Sequence, residues 1–274
     1  MITLLKHEVL RTYDKLVLIA GVAVLLSLTG ALLAATGWPL LAEVGLVVGV
    51  VAVIGLVPVC QFMLTAAYWR SGYGRTGYLT QTLPVKGAKI YWAKTVWAWL
   101  VSLAGAALSV GIVLAVAPLV TAGNGGQGAS VLTTVREAWG TLNEVAGPGG
   151  VTAGIIALVL MIIIWPAQYF FAVSVGSQAP LNRLGFAGPV LVWLGLYLAT
   201  QVLVFASFAA VPLAVGMDGD RLGLVRFDLF AEMAAGASST ADVMPLGFLP
   251  ALLVITALGI VGLASFWVAQ RRRQ

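Results

Sequence analysis

The chain has 274 residues, of which 61% are hydrophobic and 9% charged, with fifteen lysines and arginines against ten acids. So little polar sequence leaves no room for a separate soluble domain of ~100 residues, and basic charge confined to short connections points to lipid headgroups rather than nucleic acid. A single cysteine, Cys60, excludes an intrachain disulfide and a thiolate metal cluster.

Residues 1–15 carry a pattern of their own. Ile2, Leu5, Val9, Tyr13 and Leu16 recur every three or four positions, with Lys6, Glu8, Arg11, Asp14 and Lys15 mostly between them. That spacing predicts an N-terminal amphipathic helix in the membrane interface. His7 and Glu8 begin a His-Glu-x-x-His pattern, but position 11 is arginine, so no zinc site follows. The acids Glu8 and Asp14 and the length of the first apolar run favour a retained span over a cleaved signal. Six apolar runs follow, roughly 16–36, 40–68, 95–121, 151–176, 187–215 and 245–268. Each reaches the roughly 20 residues that a helix needs to cross a bilayer. Glu43 and Lys94 touch only the edges of their runs. The expected fold is an all-α integral membrane protein with six transmembrane helices, forming a single transmembrane domain over residues 1–274.

Counting charge by side orients it. If both termini share one face, that face holds twelve basic residues: Lys6, Arg11, Lys15, Arg70, Arg75, Lys86, Lys89, Lys94, Arg183 and Arg271, Arg272 and Arg273. Only Glu8 and Asp14 stand against them. The opposite face receives Arg136, Arg221 and Arg226 together with the other eight acids. Lys and Arg are retained on the cytoplasmic side, so both termini are expected there, in a multi-pass protein of the cell (plasma) membrane. The segments 122–150 and 216–244 then lie outside.

Chemistry is sparse in this chain. No Gly-Lys dipeptide occurs, and Ala93-Lys94-Thr95 lacks the glycine whose backbone must approach a phosphate, so the chain is not expected to hydrolyse nucleotide by itself. Asp218-Gly219-Asp220-Arg221 reads as a solvated turn, having no second acidic motif at helical spacing. With one histidine and no nucleophile, base and acid set, no catalytic and no metal-binding residue is assigned, and the chain needs no cofactor of its own. The span interiors contain no titratable group, which disfavours an ion-coupled carrier. They do hold Gln61, Gln168 and Gln201, near Pro58, Pro166 and Pro212. Such amides either glue helices together or line a translocation surface.

The loop between the second and third spans, Trp69 to Lys94, is too aromatic and apolar for a solvated linker. Tyr73, Tyr78, Leu79, Leu83, Val85, Ile90 and Tyr91 framed by Arg and Lys mark a protein interface. Pro84 ends a predicted short helix over about 74–82, and a second helix starts near Lys86 and runs into the third span.

Here the chain resembles the permease subunits of ABC exporters of the second membrane type. The likeness rests on the N-terminal amphipathic helix, on six spans with both ends inside, and on the loop Gly-Tyr-Leu-Thr-Gln-Thr-Leu-Pro-Val-Lys-Gly-Ala-Lys-Ile-Tyr-Trp-Ala-Lys. It implies a cytoplasmic coupling helix that docks on a separate ATP-binding subunit, with Arg75, Tyr78, Leu79, Thr80 and Leu83 at the contact. Lys86, Lys89 and Lys94 would steady the base of the third span. It also implies a second permease chain, identical or related, ATP and magnesium held by the partner, and a hairpin or short helices over 222–243, where Val225, Leu229 and Met233 share a helical face. The external stretch from Gly123 to Gly150 is longer than that family requires. Expected cargo is an amphiphile: a lipid, a hydrophobic peptide or a drug. Two other classes compete. A non-transporting assembly or sensor subunit keeps the cytoplasmic interface without a path. A secondary carrier needs a buried ionisable group and inverted repeats of three spans, and neither is legible.

The charge split makes a direct prediction. With Cys60 replaced, a cysteine at Ser130 or Ser239 should react with an impermeant thiol reagent on whole cells, and one at Ser71 should not. Labelling of Ser71 with the other two sites silent reverses the orientation.

Overall fold

A computed structural model describes residues 2–74, 87–123, 131–218, 221–234 and 243–271. The chain divides into two compact units, Met1–Trp139 and Gly140–Gln274. Five helices are long and apolar enough to cross a membrane, which makes this a multi-pass membrane protein, and Phe248–Gly259 is a further apolar helical stretch.

In the first unit α1 (Ile2–Ala34), α2 (Pro39–Gly72) and α3 (Gly87–Gly123) pack on one another. The expected boundary between an interfacial helix and the first span does not exist, since α1 runs unbroken for 33 residues, about 50 Å at 1.5 Å per residue. Neither glycine nor proline occurs before Gly21, and the apolar positions 2, 5, 9, 13 and 16 stay in phase with the span, so nothing turns the chain. The reversal into α2 is tight. Thr36 Oγ1 donates to the Leu33 carbonyl at 2.7 Å, Gly37 takes a φ of +71°, and Pro39 opens α2 where its missing N–H is not needed.

Small residues let α1 and α2 touch backbone to backbone. A Cβ placed on Gly30 would fall 2.5 Å from the Gly45 carbonyl oxygen, and one on Gly45 would fall 2.5 Å from that of Gly30. Ala23, Ser27, Ala31 and Ala34 are buried on the same stripe of α1. Between α2 and α3 the seam is polar at intervals of about two turns. Ser109 donates to the Val53 carbonyl at 3.0 Å, Gln61 Nε2 to Ser102 Oγ at 3.1 Å, and Lys94 Nζ to Ser71 Oγ at 3.1 Å. In lipid, where apolar burial does not drive helices together, close approach and interhelical hydrogen bonds are what remain.

The second unit contains most of α4 (Val131–Gly176), the 3₁₀ turn Leu181–Leu184, α5 (Ala187–Ala210) and α7 (Phe248–Arg271). α4 is two helical pieces meeting at Gly147, whose φ of 65° and ψ of 166° are not helical. Pro148 then begins the apolar piece, close to the expected start at 151. The Gly-rich stretch before it is largely helix, from Val131 onward.

One expectation fails at the end of α5. Its span was expected to reach residue 215, but α5 stops at Ala210 because Pro212 has no N–H and holds Val211 in an extended conformation (φ −127°, ψ 84°). Over 222–243, where a hairpin or short helices are expected, a strand and then a short helix follow one another among the described residues, so three short strands accompany the helices. β1 (Leu213–Asp218) pairs antiparallel with β2 (Arg221–Arg226) and with β3 (Met244–Pro245), in the order β2-β1-β3. Leu222, Leu224 and Arg226 alternate with a period of two, and the register ends with Asp218 paired to Arg221. One short helix does form, α6 (Leu229–Ala234), with Asp228 Oδ1 accepting from the N–H groups of Phe230 and Ala231 at 3.1 Å each.

The α1–α2 seam can be tested by a change that normally helps a helix. Gly45→Ala should lower the melting temperature of the purified protein, by about 1–3 kcal/mol of overpacking. Gly55→Ala, on the same helix with open space at its Cβ, should be neutral or stabilising by up to ~1 kcal/mol. Equal effects at both positions would mean that the helices do not touch.

Candidate functional site: a buried ion pair at the meeting of three helices

Near the end of α2, the start of α3 and the first turns of α1, polar side chains turn inward. Lys94 is 5% exposed, and its ammonium contacts Glu8 Oε1 of α1 and Ser71 Oγ of α2. Ser71 in turn donates a hydrogen bond from its hydroxyl to the Tyr68 carbonyl at 3.0 Å. One turn along α1, Thr12 donates to the Glu8 carbonyl at 2.8 Å and accepts from Trp97 Nε1 at 2.9 Å. Arg11 lies 3.9 Å from Glu8 and donates to the Ala67 carbonyl at 3.0 Å. Aromatic rings continue the cluster: Tyr68 meets Tyr73 and Tyr91 edge-on at 5.9 and 6.3 Å, and Tyr91, Trp92 and Trp99 follow at 5.9 and 6.0 Å.

This arrangement ties α1, α2 and α3 together. Among the described residues no group of three or more His, Cys, Asp or Glu could hold a metal. Its charge is expensive to bury, so the ammonium needs both the carboxylate and the hydroxyl to be stable there. The cluster brackets the segment 75–86: Ser71 lies about one helical turn before it and Lys94 about two turns after it.

The expected contact residues Arg75, Tyr78, Leu79, Thr80 and Leu83, with Lys86 and the coupling helix they belong to, lie outside the described residues. Lys89 is exposed, whereas Lys94 is committed to the pair. Of the three glutamines, Gln61 is buried and bonded to Ser102 between α2 and α3, Gln168 is half-buried on α4, and Gln201 is exposed on α5. Burial of Ser71 also changes the labelling test: a cysteine there is shielded by packing, so the exposed Lys6 is the position that reports the side. Sequence reasoning missed Glu8 and Ser71 as partners. A signal for Glu8 was present, because it is one of only two acids grouped with twelve basic residues.

Removing either charge strands the other. Glu8→Gln and Lys94→Met should each destabilise the purified protein by about 3 kcal/mol, the low end for breaking a buried pair because the Glu8 side chain is 17% exposed. The pair Glu8→Leu with Lys94→Met should recover much of that loss. Strictly additive losses in denaturant or thermal unfolding would show that the two groups are not coupled. In comparisons with known proteins, no family model, no curated protein and no solved structure matches this chain.

Proposed function

We propose that this chain is the permease subunit of an ATP-driven exporter, of the second membrane type of ABC exporters. It works as a dimer with a second permease chain and takes its energy from a separate ATP-binding subunit. The observation that carries the reading is the brace of Glu8, Lys94 and Ser71. It fixes α1 to the two helices that lead into and out of the segment 75–86, so a push on that segment is delivered to three helices at once. The absence of a phosphate loop in the sequence puts the nucleotide and its magnesium on the partner. ATP binding there must favour one permease conformation over the other, or nothing is moved. Both termini are cytoplasmic and the membrane is the cell membrane, following the excess of Lys and Arg on that side. The apolar helices suit an amphiphilic cargo: a lipid, a hydrophobic peptide or a drug. The buried pair sits at helix ends and not in mid-span, where a carrier's ion site would lie.

Two measurements decide this. The purified chain should hydrolyse no ATP until a nucleotide-binding partner is added, and robust turnover by the chain alone ends the reading. Tyr78→Ala with Leu79→Ala should leave insertion and folding intact. It should weaken recovery of the ATPase by roughly thirtyfold, about 2 kcal/mol for lost interface anchors, or uncouple ATP turnover from export. Thr134→Ala should do neither. Full association and transport in the double variant, with loss on changing Arg183, would put the motor contact on the other loop. Association with full ATP turnover and no movement of any amphiphile would favour an assembly subunit.

A further inference from the structure

The three-stranded sheet exposes a continuous apolar face. Register places Leu213 opposite Arg226, and Val215 opposite both Leu224 and Met244, with Leu222 further along on the same side. The opposite face is closed where it begins, since Ala214 is fully buried and Gly216 lies against Val243 and Val225. On the open face Leu224 is 68% exposed, Met244 61% and Leu213 41%. A patch of that kind in water would be unusual unless something covers it.

Where the sheet is tied says what covers it. Only Val211 and Pro212 separate β1 from the end of α5, a reach of at most about 7 Å. Only Leu246 and Gly247 separate β3 from the start of α7. The two connections are clamped together, with Leu246 N–H donating to the Leu213 carbonyl at 2.9 Å and Phe227 N–H to the Pro212 carbonyl at 3.2 Å. Phe230 of α6 stands edge-on against Phe205 of α5 at 5.0 Å, so the following helix is also held on the last turns of α5. A sheet so tethered to the end of a membrane-spanning helix cannot leave the bilayer surface. Among the described residues the one charged side chain on the open face, Arg226, is at the tethered end opposite Leu213, and a guanidinium there can reach lipid phosphates while its stem lies along apolar surface.

We propose that the face formed by Leu213, Val215, Leu222, Leu224 and Met244 rests on the lipid interface, with Arg226 among the headgroups, so that the sheet is a membrane-docked plate at the mouth of α5. Lipid contact here requires only that α5 crosses the bilayer, and it holds whatever the chain transports.

The test uses the full chain in lipid nanodiscs with Cys60→Ala and either Leu224→Cys or Met244→Cys, labelled with an environment-sensitive fluorophore such as NBD. Emission should be blue-shifted and quenched several-fold more by lipids carrying a nitroxide near the top of the acyl chain than by aqueous iodide. If iodide quenches and the nitroxide lipid does not, the face is in water and the proposal is overturned. It is equally overturned if both quenchers fail and two Leu224→Cys chains cross-link, because the sheet is then covered by a second copy. Met244→Cys reads the same face from a different strand should the Leu224 variant fail to insert.

Discussion

Most of this chain depends on one constraint, which is that helices surrounded by lipid gain nothing from hiding apolar side chains on one another. What holds the first unit together is therefore contact that lipid cannot supply. Between α1 and α2 it is the approach of Gly30 to Gly45, with Ala31, Ala34 and Ser27 keeping the stripe narrow. Between α2 and α3 it is the series Val53–Ser109, Gln61–Ser102 and Ser71–Lys94. The first device sets how near two backbones lie, and the second sets register along the axis. Together they hold α2 and α3 in a fixed antiparallel pair.

The ion pair extends the same logic to a place where it costs more. A hydroxyl or amide in the seam loses little if its partner shifts, but a buried ammonium loses heavily. Lys94 thus commits α1, through Glu8, to the geometry of the other two helices. Trp97 to Thr12 and Arg11 to the Ala67 carbonyl repeat that commitment within a turn. Any force applied at residues 75–86 meets a junction that resists splaying, which is the property a motor contact would need at its base.

How much of this was legible in the sequence follows from which signals are local. Apolar run length is local: α2 and α3 contain the expected 40–68 and 95–121 and overrun them into flanking residues, while α1 ends at Ala34, just short of the expected 36. Proline and glycine are local too, yet Pro212 was read as part of a span because the apolar residues continue past it to Val215; the missing N–H decided the matter. Of Val225, Leu229 and Met233, which share a helical face, the backbone puts Val225 on β2, where Leu222, Leu224 and Arg226 alternate, and puts Leu229 and Met233 on α6. Pairings distant in sequence were not legible: Glu8 and Lys94 are 86 positions apart, and composition said only that an acid was rare on that side.

The same distinction bears on the candidate site. Composition marks the loop from Trp69 to Lys94 as an interface, since its aromatic and aliphatic groups need a surface to pack on, while the contact residues within 75–83 are implied by the resemblance alone. Composition cannot say that the loop's two supports are locked to α1, because that needs the register of three helices. Nor could it separate the roles of Lys89 and Lys94, which look alike in the sequence and differ by burial alone: one is exposed, while the other is inside and paired. A basic residue at the edge of an apolar run is therefore ambiguous between a lipid anchor and a structural ion until an acid is found within reach. Here the acid comes from the N-terminal helix, and it turns an apparent membrane-surface segment into the third wall of the loop's foundation.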